Sequence, residues 1–146
     1  MFKFRDNLYI GSFADANNEQ AIQAEAITAI LNVAFELSDP IYHPIGSRNL
    51  KIGLMDNDQN PAYMKRLAID TLKKLIVAGE TVLVHCAMGM SRSVYVLCKA
   101  VAEIEGKTVH EIFDELTVAR PNPTPYWGGL FEREYIPIGA EDESTG

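Results

Sequence analysis

The chain has 146 residues, 47% of them hydrophobic, and a formal net charge of −7. That length favours one domain with a single core, and the acidic balance argues against nucleic acid, an acidic membrane or another polyanion as partner. Two cysteines and three histidines supply neither a disulfide framework nor a zinc-ligand spacing.

The first ten residues, MFKFRDNLYI, lack the apolar stretch of a secretory signal. No apolar run is long enough to cross a bilayer. A cytoplasmic protein with reduced thiols is therefore expected. Leu8 to Ile10 reads as a short first strand. Asn17 to Ala26 suits a helix, with Asn17 or Asn18 as its N-cap. Ala29 to Ala34 (AILNVA) suits a buried strand, although periodicity alone leaves helix open. Leu50 to Leu54 is another candidate strand. Pro61 to Ala78 is the clearest helix, with Pro61 in its first turn and Gly79 just past its end. Met64, Leu67, Ala68, Leu72, Leu75 and Ile76 recur at helical spacing and are expected to face the core.

Thr81 to His85 reads as a buried strand, and Ser93 to Ile104 as a helix closed by Gly106. Thr108 and Glu111 have capping-box spacing before a helix that runs to about Ala119. Pro121, Pro123 and Pro125 then interrupt the chain. A last helix is expected within Tyr126 to Tyr135, weakened by Gly128 and Gly129. The small, acidic tail GAEDESTG (139–146) is expected to be mobile, which leaves one domain over residues 1–138. Strands alternating with helices predict an α/β fold: a central, mostly parallel sheet of roughly four to five strands flanked by helices.

One stretch stands between a strand and a helix: VHCAMGMSRS, Val84 to Ser93. A loop entering a helix N-terminus offers unpaired N–H groups and partial positive charge, which suit a phosphate. Gly89 permits tight turning. Arg92 can grip two phosphate oxygens with its planar fork. The same positive features favour the thiolate form of Cys86. Taken alone, Cys86 reads as a small buried hydrophobe. Taken with Gly89, Arg92 and Ser93, it reads as a nucleophile inside an anion cradle.

His85-Cys86-Ala87-Met88-Gly89-Met90-Ser91-Arg92-Ser93 matches the HCxxGxxR[ST] signature and resembles the cysteine-dependent protein tyrosine phosphatases, most closely their dual-specificity branch. Asn7 to Ser12 is similar to that family's opening strand and turn, Ile30 to Ala34 to a second strand, and Arg120-Pro121 with Pro125 to its late RPxxxP element. The resemblance implies a phosphotyrosine-phosphatase-like fold and a mechanism. Cys86 would attack phosphorus and form a phosphocysteine. The backbone from Ala87 through Met88, Gly89, Met90 and Ser91 to Arg92, with the Arg92 side chain, would bind the phosphoryl oxygens. Ser93 would assist departure of the Cys86 sulfur, and His85 would brace the loop or sit as a satisfied core histidine. No metal or organic cofactor is implied.

The leaving group needs a proton, which a carboxylic acid must supply. Met55-Asp56-Asn57-Asp58-Gln59-Asn60-Pro61 follows a strand, and the resemblance favours Asp56 over Asp58. Asp58 alternatively caps the next helix or is solvated. Ala87, Met88 and Met90 bring no basic side chain to the loop, which weakens a phosphoinositide or RNA 5′-phosphate substrate. A phosphorylated protein or peptide is expected, bearing phosphotyrosine and, in a shallow pocket, phosphoserine or phosphothreonine. A monomer is favoured. A phosphate-binding adaptor without turnover and a thiol-dependent arsenate reductase are the competing classes. The adaptor reading is weakened by the presence of both Cys86 and Arg92. The reductase reading requires Cys98 as a resolving thiol. Where the family often has Asn after Pro125, this chain has Tyr126. Tyr126 and Trp127 either pack on the core or rim the pocket, and Arg120 is either a helix-end cation or a substrate contact.

Overall fold

The computed structural model describes residues 1–38, 48–57 and 59–125. Among them, five strands form one sheet: β1 (Phe2–Arg5), β2 (Leu8–Gly11), β3 (Ala29–Ala34), β4 (Arg48–Leu54) and β5 (Val82–His85), in the order β1-β2-β5-β3-β4. β2, β5, β3 and β4 run parallel, and only β1 is antiparallel, paired with β2. The helices are α1 (Phe13–Ala16), α2 (Glu19–Ala24), α3 (Ala62–Val77), α4 (Arg92–Glu105) and α5 (Val109–Ala119). This is the expected α/β architecture. None of the described helices is long and apolar enough to cross a membrane.

The sheet is covered on both faces, and the period-two alternation of its strands shows how. Leu8 and Ile10 of β2, Leu31 and Val33 of β3, and Val82 and Val84 of β5 join the main core beneath α3, α4 and α5. Tyr9, Ile30 and Leu83 turn the other way, onto Ala16 and Ile22 of α1 and α2. Every residue of β3 and β5 is consequently buried, as expected of central parallel strands. That two-sided burial explains why AILNVA shows no amphipathic period.

Helix ends follow local chemistry. Thr108 and Glu111 form the expected capping box at α5. Pro61 is the N-cap of α3, and Gly106 closes α4 in a left-handed conformation at φ 68°. The expected helix over Asn17 to Ala26 is shorter and has a neighbour. Asn17 ends α1, Asn18 caps α2, and Ser12 with Asp15 builds a capping box that starts α1. Strand β1 was not expected.

In α3, Ala68, Leu72 and Leu75 are buried as expected and Met64 and Ile76 pack partly against the core, but Leu67 is 50% exposed and Ile69 is buried in its place. Each helical residue rotates about 100°. Leu67 therefore falls outside the arc shared by Ala68, Ile69, Leu72, Leu75 and Ile76. The helix expected within 126–135 and the tail lie outside the described residues.

Candidate active site

The register of the sheet sets up the site. Gly11 of β2 and Asn32 of β3 both pair with His85, the last residue of β5, and Ala34 pairs with Leu54 of β4. Four parallel strands thus end along one edge, where open α/β sheets bind ligands. The loop Cys86 to Ser91 leaves β5 at that edge and enters α4 at Arg92.

Cys86 is buried, and its Sγ lies 3.2 Å from Ser93 Oγ. Cys86, Ala87, Met88, Met90, Ser91 and Arg92 line a cavity of about 60 Å³ together with Asp56. That is far below the roughly 300–1,000 Å³ of an ordinary small-molecule cleft, so it suits one compact group. Ser91 Oγ and Arg92 Nε are buried polar atoms with no partner among the described residues. Such orphans are uncommon in folded proteins and mark places where a polar ligand can bind.

Arg92 is only 3% exposed. Its Nη1 and Nη2 each donate to one carboxylate oxygen of Glu36 at 2.7 Å, and Nη1 also donates to the Leu54 carbonyl at 2.8 Å. Burial works to lower the Arg92 pKa. The Glu36 hydrogen bonds and the charges of Cys86, Glu36 and Asp56 outweigh it and hold the guanidinium above its usual value. In return, the Arg92 hydrogen bonds pull the Glu36 carboxyl down to about 2, against the opposing effect of burial.

Side chains and backbone from elsewhere hold the loop in shape. Arg120, 7% exposed at the end of α5, donates from Nη1 to the Gly89 carbonyl. It is therefore turned inward onto the loop and is not a solvent-facing helix-end cation. Phe13 N–H donates to the Ala87 carbonyl at 3.0 Å. Gly89 has φ 71°, and a Cβ there would come within 2.7 Å of the Gly11 carbonyl oxygen. No other residue type fits that turn without strain. His85 is fully buried, with Nδ1 3.3 Å from the Cys86 carbonyl and its ring near Phe13.

Asp56 follows β4 and reaches the cavity. Its neighbour Met55 is clamped by Asn60, whose Oδ1 accepts from Met55 N–H at 2.8 Å while its Nδ2 donates to the Met55 carbonyl at 2.7 Å and to the Asn57 carbonyl at 3.1 Å. Asp58, Tyr126 and Trp127 lie outside the described residues. Cys98 is fully buried within α4, where burial pushes its thiol pKa well up; that environment is poor for a resolving thiol.

The structure brings Cys86, Arg92, Ser93 and Asp56 together, as expected, and adds Glu36, Asn60 and the inward turn of Arg120, which were not expected from the sequence. No local motif marks Glu36. It meets Arg92 because β3 lies between β5, whose loop leads to Arg92, and β4, where Phe35 N–H bonds to the Leu54 carbonyl at 3.1 Å.

Residues 8–135 match the family described as the dual specificity phosphatase catalytic domain. The chain is 29% identical over 125 residues to dual specificity protein phosphatase 1B of Arabidopsis thaliana, covering 83% of this chain and 74% of that protein. It is 30% identical over 122 residues to dual specificity protein phosphatase 1 of the same plant, covering 83% and 61%. The fold is similar to the crystal structure of human DUSP28, with a TM-score of 0.77 at 22% identity over 91% of this chain and 92% of that one.

Proposed function

The chain belongs to the dual specificity phosphatase family of cysteine-based protein phosphatases, and from that premise we propose that it hydrolyses phosphotyrosine, and phosphoserine or phosphothreonine, through a phosphocysteine on Cys86. The observation that carries this reading is the small cavity in which Cys86, Asp56 and the Nε of Arg92, without a partner among the described residues, converge.

Cys86 Sγ attacks phosphorus as a thiolate; the P–S bond forms and the bond to the leaving oxygen breaks. Asp56 delivers a proton to that oxygen. Arg92 and the loop N–H groups from Ala87 through Met88, Gly89, Met90 and Ser91 to Arg92 hold the phosphoryl oxygens where charge accumulates. Water then attacks phosphorus and gives its proton to Asp56, and the P–S bond breaks. Ser93 Oγ, 3.2 Å from the sulfur, donates a hydrogen bond to the departing thiolate, and His85 supports the loop from below.

An apolar loop rim (Ala87, Met88, Met90) and a net charge of −7 support a phosphoprotein over a phosphoinositide or RNA 5′-phosphate. The need for a reduced Cys86 supports a cytoplasmic setting. One catalytic domain over residues 1–138, acting as a monomer, completes the reading.

A set of aryl phosphates of graded leaving-group pKa tests the assignment of the acid. Asp56→Ala should slow turnover most for the poorest leaving groups. If Asp58→Ala alone reproduced that dependence, Asp58 would be the acid.

A further inference from the structure

A guanidinium has five N–H donors in a planar fork. In Arg92, three are used among the described residues: one on each Nη by Glu36, and the second on Nη1 by the Leu54 carbonyl. The two that remain are on Nε, which has no partner among the described residues, and the second N–H of Nη2. These two lie parallel on one edge of the fork, the arrangement that grips two oxygens of one oxyanion. Arg92 lines the cavity that holds Cys86.

We infer that Glu36 is a positioning residue for the reaction: it pins the end of the Arg92 guanidinium so that the Nε–Nη2 edge is presented to the phosphoryl oxygens. This rests on Arg92 being the arginine that binds phosphate. Glu36 does not compete with the substrate, because the edge it occupies is not the edge left for the oxyanion. An unpinned arginine would have to be ordered at each turnover, which costs entropy and alignment.

The turn that carries Glu36 is fastened as if its position matters. Lys51 Nζ donates to the carbonyls of Phe35 at 2.9 Å and Leu37 at 2.7 Å. The buried Asn32 donates from Nδ2 to the Leu37 carbonyl at 3.0 Å and accepts from Ala34 N–H at 2.9 Å. Gly53 lets β4 come close: a Cβ there would sit 2.8 Å from Phe35 Cα. Glu36 is thus bracketed by Phe35 and Leu37, both tied to Lys51, while its own side chain is 52% exposed and tied to Arg92.

The test compares Glu36→Ala, Glu36→Gln and Lys51→Met with wild type. It reads kcat and KM on an aryl phosphate, tungstate affinity by calorimetry, and folding by cooperative unfolding. Glu36→Ala should stay folded, lose on the order of ten- to a hundredfold in kcat/KM, and weaken tungstate binding in parallel. Glu36→Gln, which keeps one acceptor oxygen, should lose less, and Lys51→Met should shift both readouts the same way by a smaller factor. Wild-type kcat/KM and tungstate affinity in Glu36→Ala would overturn the inference. A rise in either would overturn it too, because Glu36 would then be a competitor for Arg92. If wild type itself failed to turn over, the phosphatase reading would fall. Tungstate affinity across the variants would still decide whether Glu36 aims Arg92.

Discussion

The loop that carries the chemistry and the shell that holds it are supplied by the chain in opposite ways. Cys86, Ser91, Arg92 and Ser93 stand in one short stretch, and their grouping follows from a single strand-loop-helix transition. Glu36, Leu54 and Arg120 come from three separate segments and meet the loop only through the sheet register and the end of α5, while Asn60 clamps the Asp56 stretch from a few residues further along the same connection. In the proposed mechanism the first group contains the reacting atoms and the second orders them. The difference predicts two grades of damage: loss of a loop group removes transition-state stabilisation outright, whereas loss of a shell group loosens geometry and leaves residual function.

The largest effect separating the two regions should come from Arg92→Lys. Lysine is a point charge without a fork. It cannot hold Glu36 through two bonds while offering a second edge to phosphate. Turnover should fall on the order of a hundred- to a thousandfold, read as kcat on an aryl phosphate. A loss no greater than that of Glu36→Ala would erase the distinction between loop and shell.

Asn60→Ala should act at an intermediate level. It removes the clamp on Met55 and frees the backbone that carries Asp56. The expected loss is about tenfold, concentrated in substrates with poor leaving groups, because only those need the proton. A uniform loss across leaving groups would show that Asn60 acts on something other than the acid.

The smallest effect sharpens the ion pair itself. The Glu36 carboxyl is depressed to about 2 by Arg92 from an ordinary 4.5. A depressed carboxyl contributes fully above its ordinary value, loses that contribution progressively as the pH falls from there to its folded-state value, and in the folded protein stays ionised until that lower value is reached. Acidification to pH 4 should therefore leave the pair intact. A carboxyl carbon-13 titration should find Glu36 ionised near pH 3 in wild type and titrating nearer 4.5 in Arg92→Met. A midpoint near 4.5 in wild type would mean that the pair does not form in solution.

How much of this was legible beforehand follows the same division. The α/β class, the buried strand at Ala29 to Ala34, the long helix after Pro61 and the capping box at Thr108 are local patterns, and the structure bears them out. β1 escaped because FKFR pairs with β2 through its backbone, while only Phe4 is buried. Leu67 was misjudged because an apolar residue near a helical stripe is not always within its arc. The loop stood out because its residues are consecutive. Glu36 did not, since an acidic residue in a turn has no pattern of its own. Its partner is distant in sequence, and only the pairing of β3 with its neighbours β5 and β4 brings them together.

The central claim is that Cys86 receives the phosphoryl group. Rapid acid quench of the protein during turnover of an aryl phosphate, followed by peptide mass analysis, tests it directly. The account predicts one added phosphoryl group on the peptide containing Cys86, and neither adduct nor turnover in Cys86→Ser. A phosphoryl group on another residue, or hydrolysis that persists in Cys86→Ser, would contradict it.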